Sequence, residues 1–197
     1  ASSLPLERCR RSPPPKPSPA AAPRVEPEAV SPDAFARNLV MARRACASSE
    51  GLRLVFLDID GVLNRGSSME GILPELVQRL ARLILATDAR IVLSSTWRCT
   101  QEGRMDVLAA LVAAGLPLES IVGQTPEVSG TDMCSERADE IAAWIREAEP
   151  AAAWVALDDM DLPCDGPLQG HFVRTNVYTG LTEADVARAG GILKGPP

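Results

Sequence analysis

Beyond residue 51 the chain alternates short apolar runs with longer stretches in which apolar residues recur every three or four positions. The runs Leu54-Val55-Phe56-Leu57, Ile91-Val92-Leu93, Ser120-Ile121-Val122, Trp154-Val155-Ala156-Leu157 and His171-Phe172-Val173 are nearly continuous in hydrophobicity. Strands buried on both faces of a parallel sheet read this way, because neither face meets water. A helix is expected from Pro74, with Leu76, Val77, Leu80, Leu83 and Ile84 on one face. A second should run from about Met105 to Ala114, stopped by Gly115 and Pro117, and a third from Ser135 to Ala148 with Ile141, Trp144 and Ile145 inward. Thr182 should cap a last helix through Val186 toward Leu193. Regular alternation of strand and helix predicts an α/β, three-layer, Rossmann-like fold with a parallel sheet.

The segment 1–32 is different. It holds Pro5, Pro13, Pro14, Pro15, Pro17, Pro19, Pro23, Pro27 and Pro32 of the 17 prolines, with hardly an apolar run to repay its ordering entropy. A disordered Pro-rich tail or linker is expected. Up to Arg24 its only acid is Glu7, a composition shared with organelle transit peptides, but no amphipathic Arg helix accompanies it, and linker is the favoured reading. Residues 33–50 should form a short helical lead-in through Phe35, Leu39, Val40 and Met41, and 51–197 the α/β domain.

Composition mainly removes options. The longest central stretch without a charge, Val107 to Leu118, is broken by Gly115 and Pro117, so no membrane span is expected. His171 is the single histidine, which makes a zinc site built on several histidines or a His-based triad a poor reading. Cys9, Cys46, Cys99, Cys134 and Cys164 are odd in number and widely spaced, as in reduced thiols of a reducing compartment, so an intracellular, cytoplasmic setting is expected. A formal net charge of -6 gives no global basic field for a nucleic-acid backbone. Lysine occurs only at Lys16 and Lys194.

In open α/β sheets ligands bind outside the carboxyl ends of the strands. Those ends here carry Asp58 and Asp60 before Gly61, then Ser94-Ser95-Thr96, then Asp158-Asp159. Carboxylates brought together repel unless a cation lies among them, and an all-oxygen set favours Mg²⁺. A carboxylate beside such an ion can attack phosphorus, which makes phosphoryl transfer the chemistry to expect.

The string Phe56-Leu57-Asp58-Ile59-Asp60-Gly61-Val62-Leu63-Asn64 resembles motif I of the haloacid dehalogenase (HAD) superfamily, Ile91 to Arg98 resembles motif II, and Leu157-Asp158-Asp159 the acidic motif IV. The combination of Ser94-Ser95-Thr96-Trp97-Arg98 with Ala138 to Ile145, Phe172 to Thr175 and Gly180 to Asp185 is most similar to the HAD domain of Swiss Army Knife RNA repair proteins. The resemblance implies that Asp58 is the nucleophile of a Mg²⁺-dependent phosphatase and that Asp60 protonates the leaving oxygen and then activates water. It implies phosphate contacts from Ser95 or Ser94, and a metal site from Asp58, the backbone carbonyl of Asp60, Asp158 and Asp159. A true dehalogenase is disfavoured, because those relatives lack the second Asp that Asp60 supplies.

Motif III normally contributes a lysine, and none lies between Ala20 and Gly190. Arg137 stands where the family places that cation, and its planar fork suits phosphoryl oxygens, although a surface arginine paired with Glu140 or Asp139 is nearly as good a reading. Arg65 to Leu73 is too short for a cap domain, so an open, capless site is expected, with Arg65, Arg98 and Arg174 available for further phosphates around its mouth. The expected partner is a phosphorylated substrate, a small molecule or a nucleic-acid end; a catalytically weak binding or scaffold domain is the competing reading. Apart from these, Ser94 and Ser95 could be simple helix caps, His171 a structural strand residue, and Trp97 either packing under the site or a stacking surface for a base.

Overall fold

The five apolar runs become strands β1 (Arg53–Leu57), β2 (Arg90–Leu93), β3 (Ile121–Gln124), β4 (Ala153–Asp158) and β5 (Phe172–Arg174) in a computed structural model. It describes residues 25–46, 51–66, 71–128, 132–147, 151, 153–163, 166 and 168–195. The strands form one sheet in the order β3-β2-β1-β4-β5, and every pairing is parallel. The helices are α1 (Pro32–Cys46), α2 (Pro74–Thr87), α3 (Gln101–Ala113), α4 (Met133–Glu147) and α5 (Glu183–Lys194).

Successive strand side chains point to opposite faces, so each run feeds two cores. Val55, Leu57, Ile91, Leu93, Val155 and Val173 pack with Leu76 and Leu80 of α2, Val107, Leu108 and Leu111 of α3, and Ala189 and Leu193 of α5. Leu54, Phe56, Val92 and Ala156 pack on the other face with Ala42 of α1 and Ala138 and Ile141 of α4. Trp144 and Trp154 both meet the Phe56 ring edge-on, with centroids 5.5 and 5.6 Å away. The three-layer α/β fold expected from the sequence is the fold observed. Among the described residues no helix is long and apolar enough to cross a membrane.

Three local differences have clear causes. Helix α3 begins at Gln101 rather than Met105, because Thr100 accepts a hydrogen bond from Gly103 N and caps a polar first turn that hydrophobic periodicity does not register. Residues 25–30 fall in the stretch expected to be tail, yet Val30 is fully buried, set onto the first core by a 3-10 turn at Pro27–Val30 and tied by Arg104 Nε to its carbonyl. The lead-in helix α1 lies along edge strand β3, where Asn38 Nδ2 donates to the Ile121 carbonyl, so this edge is covered. Residues 1–24 lie outside the described part. At the other end the Thr182 cap is present as a reciprocal capping box with Asp185.

The crossovers from β1 to β2 to β3 run one way from the centre, and β4 returns to the other side of β1. The strand order therefore reverses between β1 and β4, which opens a crevice at their carboxyl ends.

Candidate active site

Hydrogen bonding carries the ladder one residue past the strands and so fixes their ends in register. Asp58 N donates to Leu157 O, Ser94 N to Leu57 O, Thr125 N to Leu93 O and Thr175 N to Asp158 O, all at 2.9–3.0 Å. Asp58 and Asp158 thus emerge side by side at the switch point. One carboxylate oxygen from each of Asp58, Asp158 and Asp159 lies within 4.8 Å of the others. Asp58 and Asp158 are buried and Asp159 is half-buried.

Arg137 closes this group from α4. Its Nη1 donates to Asp58 Oδ1 at 3.0 Å and to Asp158 Oδ2 at 2.7 Å. The arginine is buried, 7% exposed, which decides against the surface-pair reading. Burial pushes the Asp58 carboxyl up to about 7, with the Asp158 charge adding to the rise and Arg137 opposing it. Burial also raises Asp158 and Asp159, the latter with the Asp60 charge as a further cause. Arg137 moves up as well: burial works against its charge, but the two carboxylates outweigh it. Three carboxylates face one guanidinium, a net deficit of positive charge that a divalent cation fits, and the donor set is all oxygen.

The serine pair follows β2 onto the same rim. Ser94 Oγ and Ser95 Oγ are buried without a partner that meets hydrogen-bond geometry, although Ser95 stands near enough to Asp58 to favour its charged form. Buried unsatisfied hydroxyls are costly and commonly await a ligand.

Asp60 is exposed and turned out of the carboxylate group. Asn64 Nδ2 donates to its Oδ1 at 2.7 Å and Trp97 Nε1 to its Oδ2 at 3.1 Å. Trp97 packs against the first core, as one of its two sequence readings has it, and its Nε1 also anchors the Asp60 carboxylate. Asn64 Oδ1 also accepts from Gly61 N, and Thr175 Oγ1 donates to Gly61 O, which ties the loop after β1 to β5. Gly61 has φ +69°, and a Cβ there would lie 2.4 Å from Asp159 Cγ. Gly61→Ala is expected to cost about 1–2 kcal/mol from the left-handed backbone alone and to push Asp159 out of the carboxylate group. Calorimetric Mg²⁺ titration should show affinity weakened at least about tenfold; unchanged affinity would mean that Asp159 is not a ligand.

The arginines expected at the mouth divide. Arg98 is a correction: it is 3% exposed and spends its guanidinium on the carbonyls of Ser95, Thr125 and Pro126 and on Glu140, so it is unavailable to substrate. Arg65 pairs with Glu75 on the surface. Arg174 is exposed, donates from Nε to Asp159 O, and lines a 620 Å³ open cavity with Asp159, Asn176 and Arg188. A second cavity, 480 Å³, opens on the Arg137 side and is lined by Thr96, Arg98, Glu127, Glu136 and Glu140. His171 is structural: Nδ1 lies 2.9 Å from Trp154 O and the ring stacks on Trp154. Cys99 and Cys134 are free, and burial raises the Cys99 thiol, which works against the thiolate.

Sequence reading gave no role to Asn64 or Thr175, and it named Glu140 only as a surface partner of Arg137, whereas that contact, at 3.7 Å, is buried. For Glu140 a signal existed: Arg137, Glu140, Ile141 and Trp144 share the 0, 3, 4, 7 spacing of one helix face, so the two charged residues lie on an apolar, inward stripe. Thr175 acts through a contact with Gly61 O across 114 residues, which no local pattern marks, whereas Asn64 bonds Asp60 and Gly61 within its own loop.

No curated protein and no solved structure matches the chain. Residues 54–186 match the model of the HAD domain in Swiss Army Knife RNA repair proteins, from the start of β1 into α5. With that match spanning most of the chain and the acidic strand ends gathered as described, the protein belongs to this HAD family.

Proposed function

We propose that the protein is a Mg²⁺-dependent phosphomonoesterase that works through an aspartyl-phosphate on Asp58. The observation that carries this reading is the placement of Asp58 at the end of β1, with its carboxylate grouped with Asp158 and Asp159 and bonded by Arg137. The family to which the chain belongs supports a phosphatase-type reaction.

In this mechanism a carboxylate oxygen of Asp58 attacks phosphorus as the ester P–O bond breaks, and Asp60 gives its proton to the departing oxygen. Asp60 then takes a proton from water as that water attacks the same phosphorus. The bond between phosphorus and Asp58 breaks, which releases inorganic phosphate and restores the carboxylate. Asn64 and Trp97 keep Asp60 at the rim until substrate arrives. Ser95, with Ser94 beside it, donates to phosphoryl oxygens, and Arg137 offsets their charge. Asp58, Asp158, Asp159 and the Asp60 carbonyl would hold Mg²⁺. The bound ion supplies positive charge to the phosphoryl oxygens and relieves repulsion among the carboxylates.

The preferred substrate in this reading is a phosphorylated nucleic-acid end or another bulky phosphorylated molecule. Three features support it: the RNA repair proteins in which the matching HAD family occurs, the open cavity with Arg174 and Arg188 beside Asp159, and the absence of helix or strand in the described residues between β1 and α2, in keeping with a capless site. A weakly active binding domain is the second reading, favoured by the hold of Arg137 on Oδ1 of Asp58.

Release of inorganic phosphate from small phosphomonoesters and from oligonucleotides phosphorylated at either end, with Mg²⁺ and with EDTA, tests both. The expected outcome is metal-dependent release that is fastest on oligonucleotide ends. Equal rates on sugar phosphates would remove the nucleic-acid preference, and no release from any substrate would leave the binding domain.

A further inference from the structure

Asp58, Arg137, Glu140, Arg98 and Ser95 form a ring of contacts whose last step, from Ser95 Oγ to Asp58, is proximity without a hydrogen bond of good geometry. Arg137 Nη1 bonds Asp58 and Asp158; Arg137 Nε lies 3.7 Å from Glu140 Oε2; Glu140 Oε1 accepts from Arg98 Nη2 at 2.6 Å. Arg98 Nη1 donates to Ser95 O at 2.9 Å, and the Ser95 side chain returns to the neighbourhood of Asp58. Arg98 is held further by the Thr125 and Pro126 carbonyls just after β3. Arg98, Glu140 and Arg137 are all nearly inaccessible, and buried ion pairs of this kind hold geometry more surely than they add stability.

We infer that Glu140, itself fixed by Arg98, is a positioning residue that sets the plane of the Arg137 guanidinium against the nucleophile; the consequence for turnover rests on the phosphatase reading above. The physical reason lies in the shape of the cation. Nη1 alone contacts the two carboxylates, and a guanidinium held at one nitrogen is free to swing about it. A second charge at the Nε edge removes that freedom. A lysine in the same place is a point charge without a plane, and needs no such partner. The arginine at this position and the buried carboxylate three residues later are therefore one device. By bonding both Glu140 and the Ser95 carbonyl, Arg98 holds the two phosphate-facing groups in a single frame.

A double-mutant cycle tests the link. Glu140→Gln is expected to lower kcat about 10–100-fold, with KM changed by less than about threefold. In an Arg137→Lys background the same substitution should cost less than about threefold. Equal costs in the two backgrounds would overturn the proposal and leave Glu140 as a counter-charge for Arg98 alone. Thermal melts identify loss of fold, and Glu140→Asp, which keeps the charge, replaces Glu140→Gln in the cycle if that variant does not fold.

A second readout does not depend on turnover. In protein labelled with ¹⁵N-arginine, the Arg98 and Arg137 Nε–H signals should both exchange slowly with water. Glu140→Gln should speed exchange at Arg137 while Arg98, bonded to Thr125 O, stays protected. Unchanged exchange at Arg137 would refute the positioning role, whereas the expected exchange pattern in a wild type that releases no phosphate would uphold the ring and reject the phosphatase.

Discussion

Asp58→Asn is expected to abolish phosphate release, by at least about a thousandfold in kcat, and at the same time to make the metal-free protein more stable. The two effects share one cause. Asp58 is buried beside Asp158, and that environment lifts its carboxyl to about 7, so the ionised nucleophile is held at a cost to the fold. Its pKa in the folded chain lies above the unfolded value of 3.8. The stability linked to this group is therefore fully present below about pH 4, is lost as pH rises through 7, and is constant above. An asparagine has the same shape and no charge to desolvate. The advantage of the variant in a thermal or denaturant melt should grow from pH 4 to pH 7 and then level off, at a few kcal/mol. Added Mg²⁺ should shrink it, because the ion stabilises the wild type by binding the ionised form. A variant that is inactive but no more stable at pH 8 would show that Arg137 already compensates Asp58 in full.

Arg137→Ala is expected to produce the opposite balance: activity falls and stability falls with it. The substitution strips Asp58 and Asp158 of their shared guanidinium and leaves Glu140 with Arg98 alone. Removing one partner of a buried ion pair typically costs about 3–5 kcal/mol. The loss should be largest at pH 8 and smaller near pH 5, where the carboxyls can take up protons in place of the lost cation. Combining it with Asp58→Asn should recover part of the stability, since one unpaired charge is then gone. Denaturant melts of the four proteins at the two pH values measure this directly. If Arg137→Ala costs the same at both, the arginine stabilises by packing and not by charge.

These two residues also show how far the sequence reaches. Asp58 was legible because a run of apolar strand residues, Leu54 to Leu57, stops at a carboxylate in an Asp-x-Asp-Gly string, and the structure places Asp58 at the carboxyl end of β1. Ser94, Ser95, Asp158 and Asp159 were legible for the same reason. Arg137 was marked by the absence of lysine and by its place where the family sets the motif III cation, and its sequence neighbours allowed an ordinary surface ion pair nearly as well. Arg98 misled, since an arginine following a polar strand end reads as a rim cation. Three backbone carbonyls and Glu140 draw it inside instead.

Order along the chain decided the layers of this protein. Apolar runs too short for helices, separated by amphipathic stretches, can bury their surface only as a parallel sheet between two helical layers, and polar residues at the ends of those runs must then gather on one rim. What those rim residues do to one another was left to the tertiary structure. Whether Asp58 meets Asp158, whether Asp60 faces the site or Trp97, and whether Arg98 reaches solvent or Glu140 depend on strand order, on register and on which face of α4 turns inward. Contacts between residues as far apart as 58 and 137 are set when the layers pack, and distances of a few ångströms in a buried setting then decide charge, orientation and chemistry.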